Sequence, residues 1–337
     1  MSPDPDRDIL GHLPDGGAVA RLTLRGGGLV ARVLTLGAIV QDLRLEGSDQ
    51  PLVLGAETPA TYLGPMEYFG AVVGRFANRI AGGRFVLDGR THQVPPNFRG
   101  RHALHGGPQG SAQRLWRVLA RSRDSATLAL RMDDGEMGFP GNLDVRVRIS
   151  LPGNGALQFD IHARTDRATP CSFSHHGYFT LDDTGDLAQH LLQTPATQYL
   201  PVDDDLIPTG EIASVADTPF DYREPRSLSG QVLDHNFCLA RRRLPIRPVA
   251  RLESRASGLA MRVESTEPGL QVYTAAHLPP EGLTGLEGRR YGPFAGVALE
   301  AQSWPDAPNR PGFPPAILRP GETYHHCTRY SFSSATA

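Results

Sequence analysis

Apolar and polar residues alternate with a period of two along most of this chain. In LDVRVRISL, Leu143, Val145, Val147, Ile149 and Leu151 point one way, while Arg146, Arg148 and Ser150 point the other, the pattern of a half-buried strand. PGNG supplies a turn, and ALQFDIHA resumes with Leu157, Phe159 and Ile161 opposed to Gln158, Asp160 and His162, which predicts a long hairpin. ARLTLR, RFVLDGRTHQV with Asp88-Gly89 at its turn, ATLALRM and GLAMRVEST repeat the pattern between Gly, Pro and Asp punctuation. No long helical period competes with it. The 37 glycines and 29 prolines are spread along the chain instead of gathered in a linker. The expectation is an all-β fold, one large single-domain antiparallel β-sandwich over residues 16–335, after a loose acidic and proline-rich lead-in at residues 1–15.

Composition narrows the partners. The 337 residues carry a net charge of −2, which gives no electrostatic pull toward nucleic acid or an anionic membrane and leaves a small neutral molecule as the expected partner. Cys171, Cys238 and Cys327 are sparse, odd in number and without CxxC spacing, so neither a disulfide framework nor a zinc site is expected, and a reducing, cytoplasmic setting fits. No basic stretch leads into an apolar run at the N-terminus, and LVARVLTLGAIV is interrupted by Arg32 and too short to cross a bilayer as a helix.

Candidate chemistry begins with SFSHHGYFTLDD, where two histidines stand side by side. If residues 172–179 are extended, Ser174, His176 and Tyr178 share a polar face, and His175 sits with Phe173 and Phe179. His176 is then the one in a polar pocket, although two structural histidines would satisfy the same pattern. Glu300 is the lone carboxylate of the apolar run in FAGVALEAQSW, sharing its parity with Gln302. It is either exposed on a wet strand face or buried so that its pKa suits a general base. His105 in ALHGG precedes two glycines that permit close backbone approach. Asn78 and Arg79 bring a guanidinium fork beside an amide, suited to a polyhydroxylated ligand or, more plainly, to a surface carboxylate. Asp234 and His235 in DHNF read as a turn with a structural imidazole. HHC at 325–327 and DDD at 203–205 resemble metal ligands, but consecutive strand residues cannot all converge on one ion, so no metal is expected.

In this order, GRFANRIAGGRF, LHGG, HHGYFTL, YLPVDDDLIPTGEI, DHNF, GLQVYT and LEAQSWPDAPN resemble the galactose mutarotase (aldose 1-epimerase) family, from about residue 65 to PGETYHH near the C-terminus. The resemblance implies a large β-sandwich with an open monosaccharide pocket and neither metal nor cofactor. It implies Glu300 as general base, His176 as general acid and His105 as a second histidine near the ring oxygen. It also implies Asn78, Arg79, Asp234 and Gln271 as residues that hold sugar hydroxyls or orient the catalytic groups. The acid and base are expected on opposite sides of the sugar ring, and the acid histidine must keep a proton near neutral pH, for which Asp234 is a candidate source of field. Two departures stand out. The usual YFNL reads YFTL, with Thr180 in place of the amide, and His277 in YTAAH stands where an Asn is usual, one residue late. Both are expected to alter sugar preference.

Three other functions remain to be weighed: a sugar-binding module without turnover, a hydrolase, which needs two catalytic carboxylates, and an epimerase of a phosphorylated sugar, for which Arg99 and Arg101 near LHGG are the candidate ligands. A monomer or weak homodimer is expected.

Overall fold

The computed structural model describes residues 7–334. Among these the only α-helix is a single turn, Pro59–Tyr62, and antiparallel sheets supply most of the remaining regular structure. The predicted hairpin is present: Leu143–Gly153 pairs with Ala156–Thr165, setting Val147 opposite Ile161 and Ile149 opposite Phe159. The apolar parity that predicts it is buried because the other face alone meets water.

Nine strands form the larger sheet. From one edge they run Arg117–Arg121, Ser125–Met132, Leu143–Gly153, Ala156–Thr165, Tyr324–Ser334, Leu259–Ser265, Arg247–Ser254, His190–Gln193 and Arg226–Ser227. The C-terminal strand therefore sits in the middle, next to the hairpin. A six-stranded sheet runs Tyr178–Phe179, Val297–Gln302, Gly269–Tyr273, Asp234–Cys238, Gln198–Tyr199 and Ala213–Ser214. The two sheets share one core: Phe159, Ile161 and Tyr330 of the larger pack with Phe179, Phe237, Val272 and Leu299 of the smaller in a single buried cluster.

The N-terminus differs from the expected loose lead-in. Its first six residues lie outside the described range, but Arg7–His12 is a strand that pairs with Ala18–Gly26 across a bulge between Ile9 and Gly11, at the edge of a four-stranded sheet. Backbone pairing at a sheet edge needs no apolar side chains, so a mostly exposed strand leaves no hydrophobic alternation to read.

The smaller sheet positions the site. Leu270, Val272, Val297 and Leu299 face the core, so the opposite parity presents Asp234, Asn236, Gln271, Glu300 and Gln302 on the other face, under the segment that carries Asn78, Arg79 and His105. Gln271 lies directly opposite Glu300, and Asn236 opposite Gln271, in the strand register.

Candidate active site

Glu300 is 2% exposed, so the wet-face alternative does not hold. His176 Nε2 lies 3.6 Å from Glu300 Oε1. Residues 172–179 do not form one continuous strand: Ser174–His175 and Tyr178–Phe179 are separate short strands joined through His176 and Gly177. A side chain at Gly177 would meet the His175 ring at 2.4 Å, which requires glycine at this break. The separation foreseen from parity is nonetheless present. His175 stacks on Phe159 at 4.2 Å and meets Tyr330 edge-on at 5.6 Å inside the core. His176 instead faces His105 at 5.1 Å and Tyr178 at 5.0 Å.

His105 is fixed by the backbone of Asn78. Its own N–H donates to the Asn78 carbonyl at 3.0 Å, and the Asn78 N–H donates to His105 Nδ1 at 3.1 Å. Both residues have left-handed backbones, φ 51° and 66°, a conformation that non-glycine residues hold only where their surroundings impose it. The glycines of LHGG provide the close approach foreseen: a Cβ at Gly106 would lie 2.2 Å from the Gly74 carbonyl oxygen.

Asp234 gathers the remaining residues. Its Oδ2 accepts from Arg79 Nη2 at 2.8 Å and its Oδ1 from Gln271 Nε2 at 2.5 Å. The Asn78 side-chain oxygen accepts the Arg79 N–H at 2.9 Å. All seven residues singled out in the sequence thus meet in one place. His235, the neighbour of Asp234, packs instead against Phe220 and Tyr199.

The electrostatics follow from burial. Burial is the largest influence on Glu300 and pushes its carboxyl well above the usual range; the charge of Asp234 adds to this and Arg79 opposes it. Burial lowers His176 to about 4, while a backbone hydrogen bond and Asp234 act in the opposite direction. Asp234 therefore does supply the expected field, but it does not keep His176 charged at neutral pH, because burial outweighs it; the same dry surroundings push the imidazole away from its protonated form and the carboxyl toward it. Burial would also raise Asp234; the charge of Arg79 and the hydrogen bonds from Arg79 and Gln271 outweigh it and hold that carboxyl below its usual range. His105 is driven well below the usual imidazole range, by burial first and then by His176 and Arg79. It is a neutral ring.

His105, His176 and Glu300 present ligand atoms within 4.8 Å of one another, a spacing that a cation could bridge. The donor set argues otherwise. The Asn78 N–H occupies the Nδ1 lone pair of His105, which leaves the ring proton on Nε2, so neither nitrogen offers a free pair to a metal. HHC is split as well: His326 is buried and hydrogen-bonds to Thr328 at 2.6 Å, while His325 is exposed.

Sequence reading missed the aromatic wall. Tyr68 packs on His105 at 4.7 Å, and its hydroxyl accepts from Asn97 Nδ2 at 3.1 Å. Phe98 lies beneath the Arg79 guanidinium, 4.5 Å from Cζ to the ring centroid. The signal available was PPNFRGRH, a turn-rich stretch just before LHGG, since binding residues concentrate on such loops. The two departures separate. His277 stacks on Tyr273 at 6.1 Å, and Tyr273 meets Tyr178 beside His176. The Thr180 hydroxyl donates to the Asp182 carbonyl at 3.0 Å, and Thr180 lines a separate cavity with Gln50, Pro51, Asp182 and Arg289.

Residues 20–331 match the family model described as aldose 1-epimerase. The chain is 40% identical over 344 aligned positions to galactose mutarotase of Rattus norvegicus, covering 98% of each chain. It is 35% identical to aldose 1-epimerase of Escherichia coli, with 95% of this chain and 96% of that one covered. Its fold is similar to the crystal structure of an aldose epimerase homologue from C. elegans, with a TM-score of 0.88 at 30% identity over 94% of this chain and 99% of that one. It is also similar to a galactose 1-epimerase from Lactobacillus acidophilus, with a TM-score of 0.83 at 27% identity over 97% and 98%.

Proposed function

The chain belongs to the aldose 1-epimerase family, and from that premise we propose that Glu300 and His176 interconvert the α and β anomers of a free aldose by opening and reclosing its ring. The observation that carries the reading is a buried carboxyl 3.6 Å from a buried imidazole, the carboxyl pushed up and the imidazole pushed down by burial. Binding alone needs no such pair.

One proton serves both groups. When it is on His176, Glu300 takes the proton of the C1 hydroxyl and His176 gives its own to the ring oxygen. The bond from C1 to the ring oxygen breaks, and the open-chain aldehyde forms with the proton now on Glu300. Rotation about C1–C2 turns the other carbonyl face toward the C5 hydroxyl. That oxygen attacks C1, His176 takes its proton, and Glu300 returns one to the carbonyl oxygen. The two groups were expected on opposite sides of the ring; side by side they serve as well, because the two oxygens they act on are both bonded to C1. The two protonation states have equal total charge. Burial favours one, and hydrogen bonds from the sugar hydroxyls to the carboxylate favour the other, so both are within reach. His105 Nε2–H, Asn78, Arg79, Asp234 and Gln271 hold the hydroxyls.

The alternatives fit less well. A hydrolase would need a second working carboxyl, yet both oxygens of Asp234 are engaged by Arg79 and Gln271. A phosphorylated substrate would need unpaired cations, yet Arg99 and Arg101 pair with Asp205, and Arg79 with Asp234. We place the activity in one catalytic domain over residues 16–335 of a cytoplasmic monomer or weak homodimer; the three buried free cysteines suit a reducing compartment.

Polarimetry of freshly dissolved α-D-glucose, α-D-galactose and L-arabinose tests the reading: the purified protein is expected to speed the approach to equilibrium rotation for at least one of them, and no acceleration of any would sink it. Activity is expected to survive exhaustive chelation and dialysis, since neither proton transfer uses a Lewis acid. Loss on chelation that a defined metal restores would overturn this. Sugar preference is expected to follow His277, not Thr180. His277→Asn should change the ratio of kcat/KM values among the three sugars by more than about threefold, ~0.7 kcal/mol, whereas Thr180→Asn should leave the ratios alone. The reverse pattern in mutarotation kinetics would reassign specificity to the Thr180 cavity.

A further inference from the structure

The DDD segment, which has no role in the metal-free reaction above, meets the loop before LHGG at one carboxylate. Asp205 Oδ1 accepts from Arg99 Nη1 at 3.2 Å, and Oδ2 pairs with Arg101 Nη2 and lies 3.3 Å from His102 Nε2. The Gly82 N–H donates to His102 Nδ1 at 3.0 Å, which leaves the proton of the neutral ring on Nε2, directed at Asp205. Arg99 also donates to the Asp204 carbonyl. On its own side, Asp205 is held in a turn in which Asp203 Oδ1 accepts its N–H at 2.9 Å and that of Ile207 at 3.0 Å.

Both loops reach the candidate active site. The first carries Phe98 beneath Arg79. It also carries Asn97, which donates to the Tyr68 hydroxyl and accepts from the Leu104 N–H, one residue before His105. The second carries Val202, Leu206 and Pro208, which close a small cavity against Arg79, Asp234 and Gln271. We infer that Asp205 is a positioning residue for sugar binding: by clasping residues 97–105 to residues 203–208 it fixes Phe98, Arg79 and His105 around the substrate, although it touches no reacting atom.

The clasp acts as a unit. The Arg99 and Arg101 side chains are 45% and 65% exposed, so either pair alone contributes little. Asp205 is 17% exposed and collects three donors, so removing its charge releases them together. The inference rests on the sugar reading of the site.

The test is mutarotation kinetics on the preferred aldose for wild type, Asp205→Asn, Asp205→Glu, Arg101→Ala and the Asp205→Asn/Arg101→Ala double variant. Asp205→Asn is expected to raise KM about fivefold or more with kcat within about twofold, the signature of weakened binding without damage to the chemical step. Asp205→Glu should recover most of the affinity, because two exposed arginines can follow a longer carboxylate. Arg101→Ala should raise KM less, and add nothing once Asp205 is Asn. An unchanged KM in Asp205→Asn, a loss confined to kcat, or independent effects of the two substitutions would overturn the clasp. Wild-type protein that turns over no free aldose would overturn the site reading and the clasp together, whereas active wild type with unaltered Asp205→Asn would overturn the clasp alone.

Discussion

Glu300→Gln is expected to lower kcat for mutarotation by about 10²- to 10⁴-fold, the range for a positioned acid–base group, while the protein folds as before. The amide keeps nearly the volume of the carboxyl on the strand Val297–Gln302, so the packing of Val297 and Leu299 on the core side is undisturbed. It cannot take the proton of the C1 hydroxyl. Stability should move the other way. Burial raises the Glu300 pKa above its unfolded value, so folding binds its proton more tightly, and the stability this confers is present at acid pH and lost as pH rises toward the raised pKa. Replacing Glu300 by a group that never ionises removes that loss, so the unfolding midpoint at pH 7 and above should be equal to or higher than that of wild type. Kinetics and thermal unfolding of the one variant test both halves; a folded Glu300→Gln protein with near wild-type turnover would remove Glu300 as the base.

His176→Asn should lose at least about 100-fold in kcat, whereas His175→Asn should retain turnover and lose stability. The imidazole of His175 stacks on Phe159 in the core, and a buried amide in its place costs about 1–3 kcal/mol in lost packing and unmet hydrogen bonds. His175→Asn should also change the pH dependence of stability. Burial is the largest influence on His175 and lowers it from the ordinary imidazole value of 6.5 to about 3. Between those values the unfolded chain takes up a proton at this position that the folded chain refuses, so stability falls as pH drops from about 6.5 toward 3, by up to about 1.4 kcal/mol per pH unit for one group. His175→Asn should flatten the wild-type slope of denaturant-measured stability between pH 6.5 and pH 4. Equal losses of turnover in the two variants, with equal stabilities, would defeat the separation of roles.

Much of this arrangement was legible before the fold. The hairpin of residues 143–163 follows from strict alternation, and the division between His175 and His176 follows from parity even though Gly177 interrupts the strand, because each short piece keeps the alternation of its neighbours. The family motifs brought Asn78, Arg79, His105, Asp234 and Gln271 into view. The strand at Arg7–His12 escaped because an exposed edge strand is held by backbone hydrogen bonds that no side-chain pattern reports. Asp205 was misleading for a different reason: three consecutive aspartates look like one feature, yet Asp203 shapes the local turn and Asp205 reaches a loop a hundred residues away.

The sequence by itself determined the all-β character, the face on which each strand residue lies, and the residue types available for acid–base work, since these depend on local alternation and on chemical identity. The tertiary structure alone decided the rest. Register across strands far apart in the chain placed Gln271 opposite Glu300, and loop packing set His176 within 3.6 Å of it. Burial by the covering loops then pushed the carboxyl up and the imidazole down. Distance and desolvation are properties of the folded surroundings, and local sequence carries neither.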